Sequence, residues 1–231
     1  MTDDSIVEDY MKRCRNVCLM LFLVLGSVLL VGCNKLDDVK ETTISVGKKG
    51  AVTEVIMESA EGESYGVEEL QSFVDADIKA FNQNAKTQNV ELTSCEIKDG
   101  MTRIEIAYTS YTDYADYHKT RCFVGTVKEA ENAGYDFNAE FQDNNGESAA
   151  ASTILANDDA WHVVILEEPV QVLVEGTLLY TSTNAEITGK GKAKIAAEDG
   201  NGQSITISSP VYLIYKLSLI HISEPTRPRL I

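Results

Sequence analysis

The chain has 231 residues, of which 44% are hydrophobic, and this is enough apolar side chain to bury a core without metal ions or dense disulfides. Acidic residues outnumber basic residues by 36 to 20, so the formal net charge is −16 at pH 7. Such a charge repels phosphates and anionic headgroups, which argues against nucleic acid as a partner and against membrane attachment through a basic patch. Metal cations, cationic peptides and neutral glycans remain compatible with this charge as partners. Alternatively, the acidic residues only keep the protein surface soluble.

A basic and then apolar segment near the N-terminus predicts an export signal. Three basic residues within 12–15 precede an apolar run from Val17 to Val31. This run is shorter than the roughly twenty residues of a spanning helix, and no basic stop-transfer cluster follows it, so we predict a cleaved signal peptide over residues 1–32. Residues 1–10 carry four acidic side chains, which is unlike the start of a signal peptide, and we therefore predict that translation begins at Met11.

The apolar run ends in Leu30-Val31-Gly32-Cys33, with an aliphatic residue three positions before the cysteine and a small residue directly before it. This motif resembles the lipobox of bacterial lipoproteins. The resemblance covers residues 11–33 and implies that the Cys33 thiol receives a diacylglycerol before signal peptidase cuts after Gly32. It predicts a protein held by acyl chains on the extracytoplasmic face of the cell membrane, with residues 33–43 as lipid anchor and tether.

Two hairpins flanking one helix are predicted in the first half of the mature chain. Alternating apolar residues predict a hairpin across 44–59, turning at Gly47–Gly50, and a second hairpin turns at Asp99-Gly100. Between them, apolar residues spaced by three and four predict a helix over Val67–Lys86. The residues expected to face the core from the first hairpin are Ile44, Val46, Val52, Val55 and Met57. The apolar stripe of the helix is Val67, Leu70, Phe73, Val74, Ile78 and Phe81.

Two short helices, at about 110–120 and 127–133, are expected to lead into a β-rich second half. The predicted strands there are 161–167, 170–174, 177–181, 185–188, 193–197, 204–208 and 211–215. The sequence thus predicts an α+β fold, in which an N-terminal strand-strand-helix-strand-strand unit is followed by a β-rich C-terminal half. Residues 44–150 and 151–216 form two halves or one continuous domain.

The final segment, 217–231, differs in composition from the rest of the chain. Its string LSLIHISEPTR resembles the translation of an adapter used in preparing sequencing libraries. We therefore expect the native sequence to end near Lys216 and assign the segment no role.

Tyr108, Tyr111, Tyr114 and Tyr117 recur every three residues, so they are expected along one side of a helical segment. Exposed rings in this arrangement would stack on a glycan or anchor a protein partner, because tyrosine offers rigid apolar area and a hydroxyl. The alternative is that the stripe packs the short helix against the sheet.

Cys95 and Cys122 are the thiols that remain when the signal peptide is removed and Cys33 carries lipid. Outside the cytoplasm they can form a disulfide, which would add about 3–4 kcal/mol in the chain-entropy model, or they can stay unpaired.

No motif in the sequence predicts catalysis, a metal site or a cofactor. His118 and His162 stand outside any nucleophile or zinc motif, and both are expected in surface or packing roles. The loop that begins at Asp143 fits a polar turn better than a calcium loop, because Ser148 stands where an EF-hand needs glycine. We therefore expect a non-enzymatic binding module for a glycan, peptide or protein, or alternatively a structural or assembly lipoprotein of the envelope. Beyond the lipobox, the mature chain resembles only uncharacterised surface lipoproteins of Gram-positive bacteria.

Overall fold

The computed structural model describes residues 36–62, 64–196 and 209–218. The described residues from Val39 onward belong to one compact unit. The predicted signal peptide, Cys33, the strand predicted at 204–208 and the segment after Ser218 lie outside the described residues.

The first half of the described chain alternates hairpins and helices. Its elements are β1 (Thr43–Val46), β2 (Val52–Ser59), α1 (Val67–Ala85), β3 (Val90–Lys98), β4 (Met101–Tyr108), α2 (Tyr111–His118), β5 (Cys122–Thr126) and α3 (Val127–Asn132). At the predicted second turn, Asp99 and Gly100 have φ angles of 52° and 75°, as a two-residue hairpin turn between twisted strands requires. The strand-strand-helix-strand-strand order is therefore confirmed.

The second half is rich in strands. Its elements are β6 (Phe141–Gln142), β7 (Ser148–Ala149), α4 (Ala151–Leu155), β8 (His162–Leu166), β9 (Gln171–Val174), β10 (Gly176–Ser182), β11 (Ala185–Gly189), β12 (Lys192–Ile195) and β13 (Val211–Leu217). The α+β class and the β-rich C-terminal part are confirmed, whereas the sequence patterns do not predict β5, β6, β7 or α4.

The described strands form two sheets, and each sheet takes strands from both halves of the chain. The first sheet has the order β11-β12-β9-β1-β2-β4-β3, in which only β1 and β9 run parallel. The second sheet is antiparallel, with the order β5-β8-β13-β10-β6-β7. Because β1 pairs with β9 and β5 pairs with β8, the two halves are joined by continuous hydrogen-bond ladders.

The main core lies between the two sheets, and a smaller core covers the outer face of the second sheet. Along β8, Val164 and Leu166 enter the main core, whereas Val163 and Ile165 enter the smaller one. This alternation follows from the two-residue period of a strand, and it buries the second sheet on both faces. Helices α3 and α4 contribute to the smaller core.

The first hairpin packs largely as expected. Ile44, Val46, Val52 and Val55 are buried, and Met57 is half-buried near the end of β2. Helix α1 lies against β3 and buries Val74, Ile78 and Asn82. Leu70 and Phe81 pack against the main core as well, whereas Val67 and Phe73 are exposed, as described below.

Candidate functional site

The four tyrosines of the predicted stripe occupy two kinds of position. Tyr108 is the last residue of β4, and the other three lie on α2, which Ser110 caps by accepting a hydrogen bond from the Asp113 backbone amide. Tyr108 and Tyr114 are 2% and 0% exposed. Tyr111 and Tyr117 are half-buried. Two of the four rings therefore lie in the interior, where a ligand in solution cannot stack on them.

A buried carboxylate and an imidazole meet beside Tyr108. The Tyr108 hydroxyl donates to Glu54 Oε2 over 2.8 Å, and His118 Nε2 lies 2.9 Å from the same oxygen. Glu54 is 3% exposed, although acidic side chains are almost never fully buried without a partner. Tyr108 at the end of β4 and His118 at the end of α2 thus both contact the Glu54 carboxyl group on β2.

Two more tyrosine hydroxyls bind carboxylates around the same helix. Tyr114 donates to Glu168, which follows β8, and Tyr117 donates to Asp77 of α1 over 2.7 Å. The rings contact one another as well, since the Tyr114 ring centroid lies 5.2 Å from that of Tyr108 and 4.6 Å from that of His118. We call Glu54, Tyr108, Tyr114, His118 and Glu168 the Tyr–Glu–His cluster.

The pKa values in the cluster keep its hydroxyls protonated. Burial and the adjacent carboxylates raise the pKa of Tyr108 and Tyr114 well above the usual tyrosine value. Burial alone lowers the pKa of His118, but the hydrogen bond and charge of Glu54 and the charge of Glu168 outweigh it, so the net pKa is raised. The tyrosines are therefore hydrogen-bond donors, and the imidazole of His118 favours its protonated form more than a free histidine does.

Glu54 was not among the predicted site residues, although one signal in the sequence indicates it. Val52 belongs to the main core and Ile56 packs against it. Since side chains two apart point to the same face of a strand, Glu54 is an acidic residue at a core-facing position. The partners of Glu54 could not be predicted from the neighbouring sequence, because His118 is 64 residues away in the chain.

The apolar stripe predicted for α1 is only partly buried, and the prediction was wrong at two positions. Phe73 is 73% exposed and Val67 is 38% exposed. They are the exposed large hydrophobic residues among those the structure describes. Glu69 and Asp77 lie one turn before and after Phe73, where a helix places its neighbours. An aromatic ring thus stands on an acidic, outward-facing surface.

Both cysteines of the candidate disulfide are free thiols in the structure. Cys95 lies on β3, an edge strand of the first sheet, and Cys122 lies on β5, an edge strand of the second. Cys122 is buried, and burial together with the charge of Glu168 raises its pKa to about 12. The disulfide that we considered is therefore absent from the structure, although both cysteines contribute to the main core.

The side chain of Asp143 accepts hydrogen bonds from backbone amides of its own loop. Asp143 Oδ1 accepts hydrogen bonds from the amides of Asn145 and Glu147 over 2.8 and 2.9 Å. These bonds lower the pKa of Asp143. This is an Asx-type turn that closes the β6–β7 hairpin.

His162, the other histidine of the described domain, begins β8. Its ring lies 5.6 Å from that of Tyr215, and burial lowers its pKa. The histidine is thus a packing residue at a strand end.

Within the described ranges, no three His, Cys, Asp or Glu side chains are grouped so that they could hold a metal ion. No helix in that same part of the chain is long and apolar enough to cross a membrane. No protein-family model, no curated protein and no solved structure matches the chain.

Proposed function

We propose that this chain is a lipid-anchored, extracytoplasmic, non-enzymatic protein that binds a partner protein or peptide through the outer face of α1. The observation that carries the binding part of the proposal is the exposed ring of Phe73. The anchor part rests on the lipobox-like motif ending at Cys33 and on the apolar run before it.

An exposed phenylalanine on a folded domain is a favourable contact point. Burying a side chain of this size against a partner contributes about 1.5–3 kcal/mol, and aromatic residues are enriched in the cores of protein interfaces. Ala76 and Ala80 lie on the same outward side of α1 and are exposed, so they leave room for a partner to approach the ring.

The charge around Phe73 indicates the chemistry of the partner. Glu69 and Asp77 flank the ring, and the whole chain carries a net charge of −16. A partner segment with an apolar residue between basic side chains would match this face, whereas an anionic surface or a second copy of the chain would be repelled.

The geometry favours a protein or peptide over a glycan. Glycan stacking requires exposed aromatic faces, but Tyr108 and Tyr114 are buried and their hydroxyls already donate to Glu54 and Glu168. Their raised pKa values also argue against either hydroxyl as a nucleophile at neutral pH, which supports the non-enzymatic part of the proposal.

Substitution of Cys33 tests the anchor. We expect wild-type protein in cells to incorporate an alkyne-tagged fatty acid and to be cleaved by protease added to intact cells. Cys33→Ala should lose the acyl label and keep its signal peptide, because the acceptor thiol is gone. Cys18→Ala is the matched control, since Cys18 lies in the apolar run and outside the motif. Equal labelling of the Cys33→Ala protein would contradict the anchor.

Site-specific photocrosslinking tests the binding face. A photoreactive residue at Ala76, beside Phe73, should give a discrete protein adduct in cells, and Phe73→Ser should reduce that adduct at least about tenfold, as the loss of an aromatic anchor does. Gln71→Ser, on the same helix and also exposed, should leave it unchanged. An adduct that survives Phe73→Ser, or none at all, would favour the structural lipoprotein instead.

A further inference from the structure

We propose that α2 is a pH-sensitive latch, which stays closed on the two sheets while His118 is protonated and opens locally more often when His118 is neutral. The inference goes beyond partner binding and concerns the Tyr–Glu–His cluster. The latch shares one residue with the proposed binding face, Asp77, which accepts a hydrogen bond from Tyr117.

Three side chains between Tyr114 and the end of α2 bind other parts of the fold. Tyr114 binds Glu168 beyond β8, Tyr117 binds Asp77 of α1, and His118 binds Glu54 of β2. Residues from three separate parts of the fold therefore bind side chains of one eight-residue helix. A helix this short is not stable on its own, so these contacts and the packing of the Tyr114 ring in the main core hold it in place.

The Tyr–Glu–His cluster holds a positive charge only when His118 is protonated. The titratable groups contributed by the elements around it are Glu54 of β2, Tyr108 of β4, Tyr114 and Tyr117 of α2, Asp77 of α1, Cys122 of β5 and Glu168 after β8. The tyrosines and the thiol have raised pKa values and stay neutral, so Glu54 and Glu168 are the acidic groups that act on the imidazole. Among these groups His118 alone can supply positive charge.

Neutral His118 would still fill its space, and its Nε2 could still donate to Glu54. The ionic part of the contact would be lost, however, and the Glu54 carboxyl group, at 3% exposure, would remain buried without a cationic partner. Burying a charge without a partner is unfavourable, and opening of α2 relieves this by admitting water.

The direction of the pH effect follows from the raised pKa of His118. A group whose pKa is higher in the closed than in the open state adds stability that is complete below the open-state pKa of about 6.5. That stability is lost as the pH rises through the closed-state value. The latch therefore weakens as the pH rises above about 6.5 and through the closed-state pKa of His118.

Hydrogen exchange of the full mature lipoprotein in detergent tests the latch. Labelling at about pH 6 and about pH 8.5, with times matched to the intrinsic exchange rates, should show protection of the α2 amides falling at least about threefold at the higher pH. The amides of β8 and β13 serve as internal references and should keep their protection. Equal α2 protection at both pH values in the wild-type protein would overturn the proposal.

Two variants assign the effect to the cluster. His118→Gln should remove the pH dependence of α2 protection, and His162→Gln, the matched control at the start of β8, should retain it. If His118→Gln also loses protection in β8, which would indicate general unfolding, Glu54→Gln provides the second variant, because it removes the anion that needs compensation. Persistence of the wild-type pH dependence in a folded His118→Gln or Glu54→Gln protein would refute the latch.

Discussion

Tyr114→Ala is expected to lower the free energy of unfolding by about 3–5 kcal/mol, as truncation of a fully buried aromatic side chain does. Tyr114 is 0% exposed and belongs to the main core between the two sheets. The substitution removes the ring that contacts Tyr108 and His118, and it also leaves Glu168 without its hydroxyl donor. Denaturant unfolding of the purified protein, followed by circular dichroism, measures the change.

One further variant separates the contribution of the Tyr114 ring from that of its hydroxyl, and a second is a surface control. Tyr114→Phe keeps the ring and loses only the hydrogen bond, so we expect a loss of about 1–2 kcal/mol. Asp116→Ala, at an exposed position of the same helix, should change stability by less than about 0.5 kcal/mol. If Tyr114→Ala were as mild as Asp116→Ala, the burial of this ring would be contradicted.

Gly176→Ala is expected to destabilise the fold by at least about 2 kcal/mol, because a single added methyl group meets backbone. A Cβ atom at position 176 would lie 2.2 Å from the carbonyl oxygen of Lys216 and 2.9 Å from the Tyr215 ring. Gly176 begins β10 and pairs with Leu217 of β13, so the clash can be relieved only by separating two neighbouring strands. Thermal and denaturant unfolding report the loss.

Gly189→Ala is the matched control for this clash. Gly189 ends β11, and its added Cβ would make an ordinary contact of 3.5 Å with the Lys192 side chain. We expect it to be close to neutral. Equal effects of the two substitutions would contradict the close approach of β10 and β13.

Local patterns in the sequence predict the hairpins and α1 because each of these elements carries its own signal. The Asp99-Gly100 pair specifies a turn, and the alternation along β2 and β4 specifies strands. Strand β5 was missed because it runs without a break into α3, so the two periodicities overlap at Thr126. Helix α4 has only five residues, which is too short for a helical period to appear.

The sites were harder to predict because they depend on tertiary contacts. The stripe on α1 includes more apolar residues than the sheet covers. Val74 and Ile78 are buried, while Phe73, rotated by about 100° from Val74, faces outward. Likewise, the tyrosine spacing predicts a shared side but not whether that side is exposed. The burial of Tyr108 and Tyr114 depends on Glu54 and Glu168, each 54 residues distant from the tyrosine that it binds.

The mass of the N-terminal peptide of the membrane-extracted protein tests the lipid anchor, the central claim, most directly. We predict a peptide that begins at Cys33 and carries a diacylglycerol on its sulfur, because cleavage in bacterial lipoproteins follows modification of that thiol. A peptide that runs through Gly32 into Cys33 with an unmodified thiol would contradict both the cleavage site and the lipid anchor.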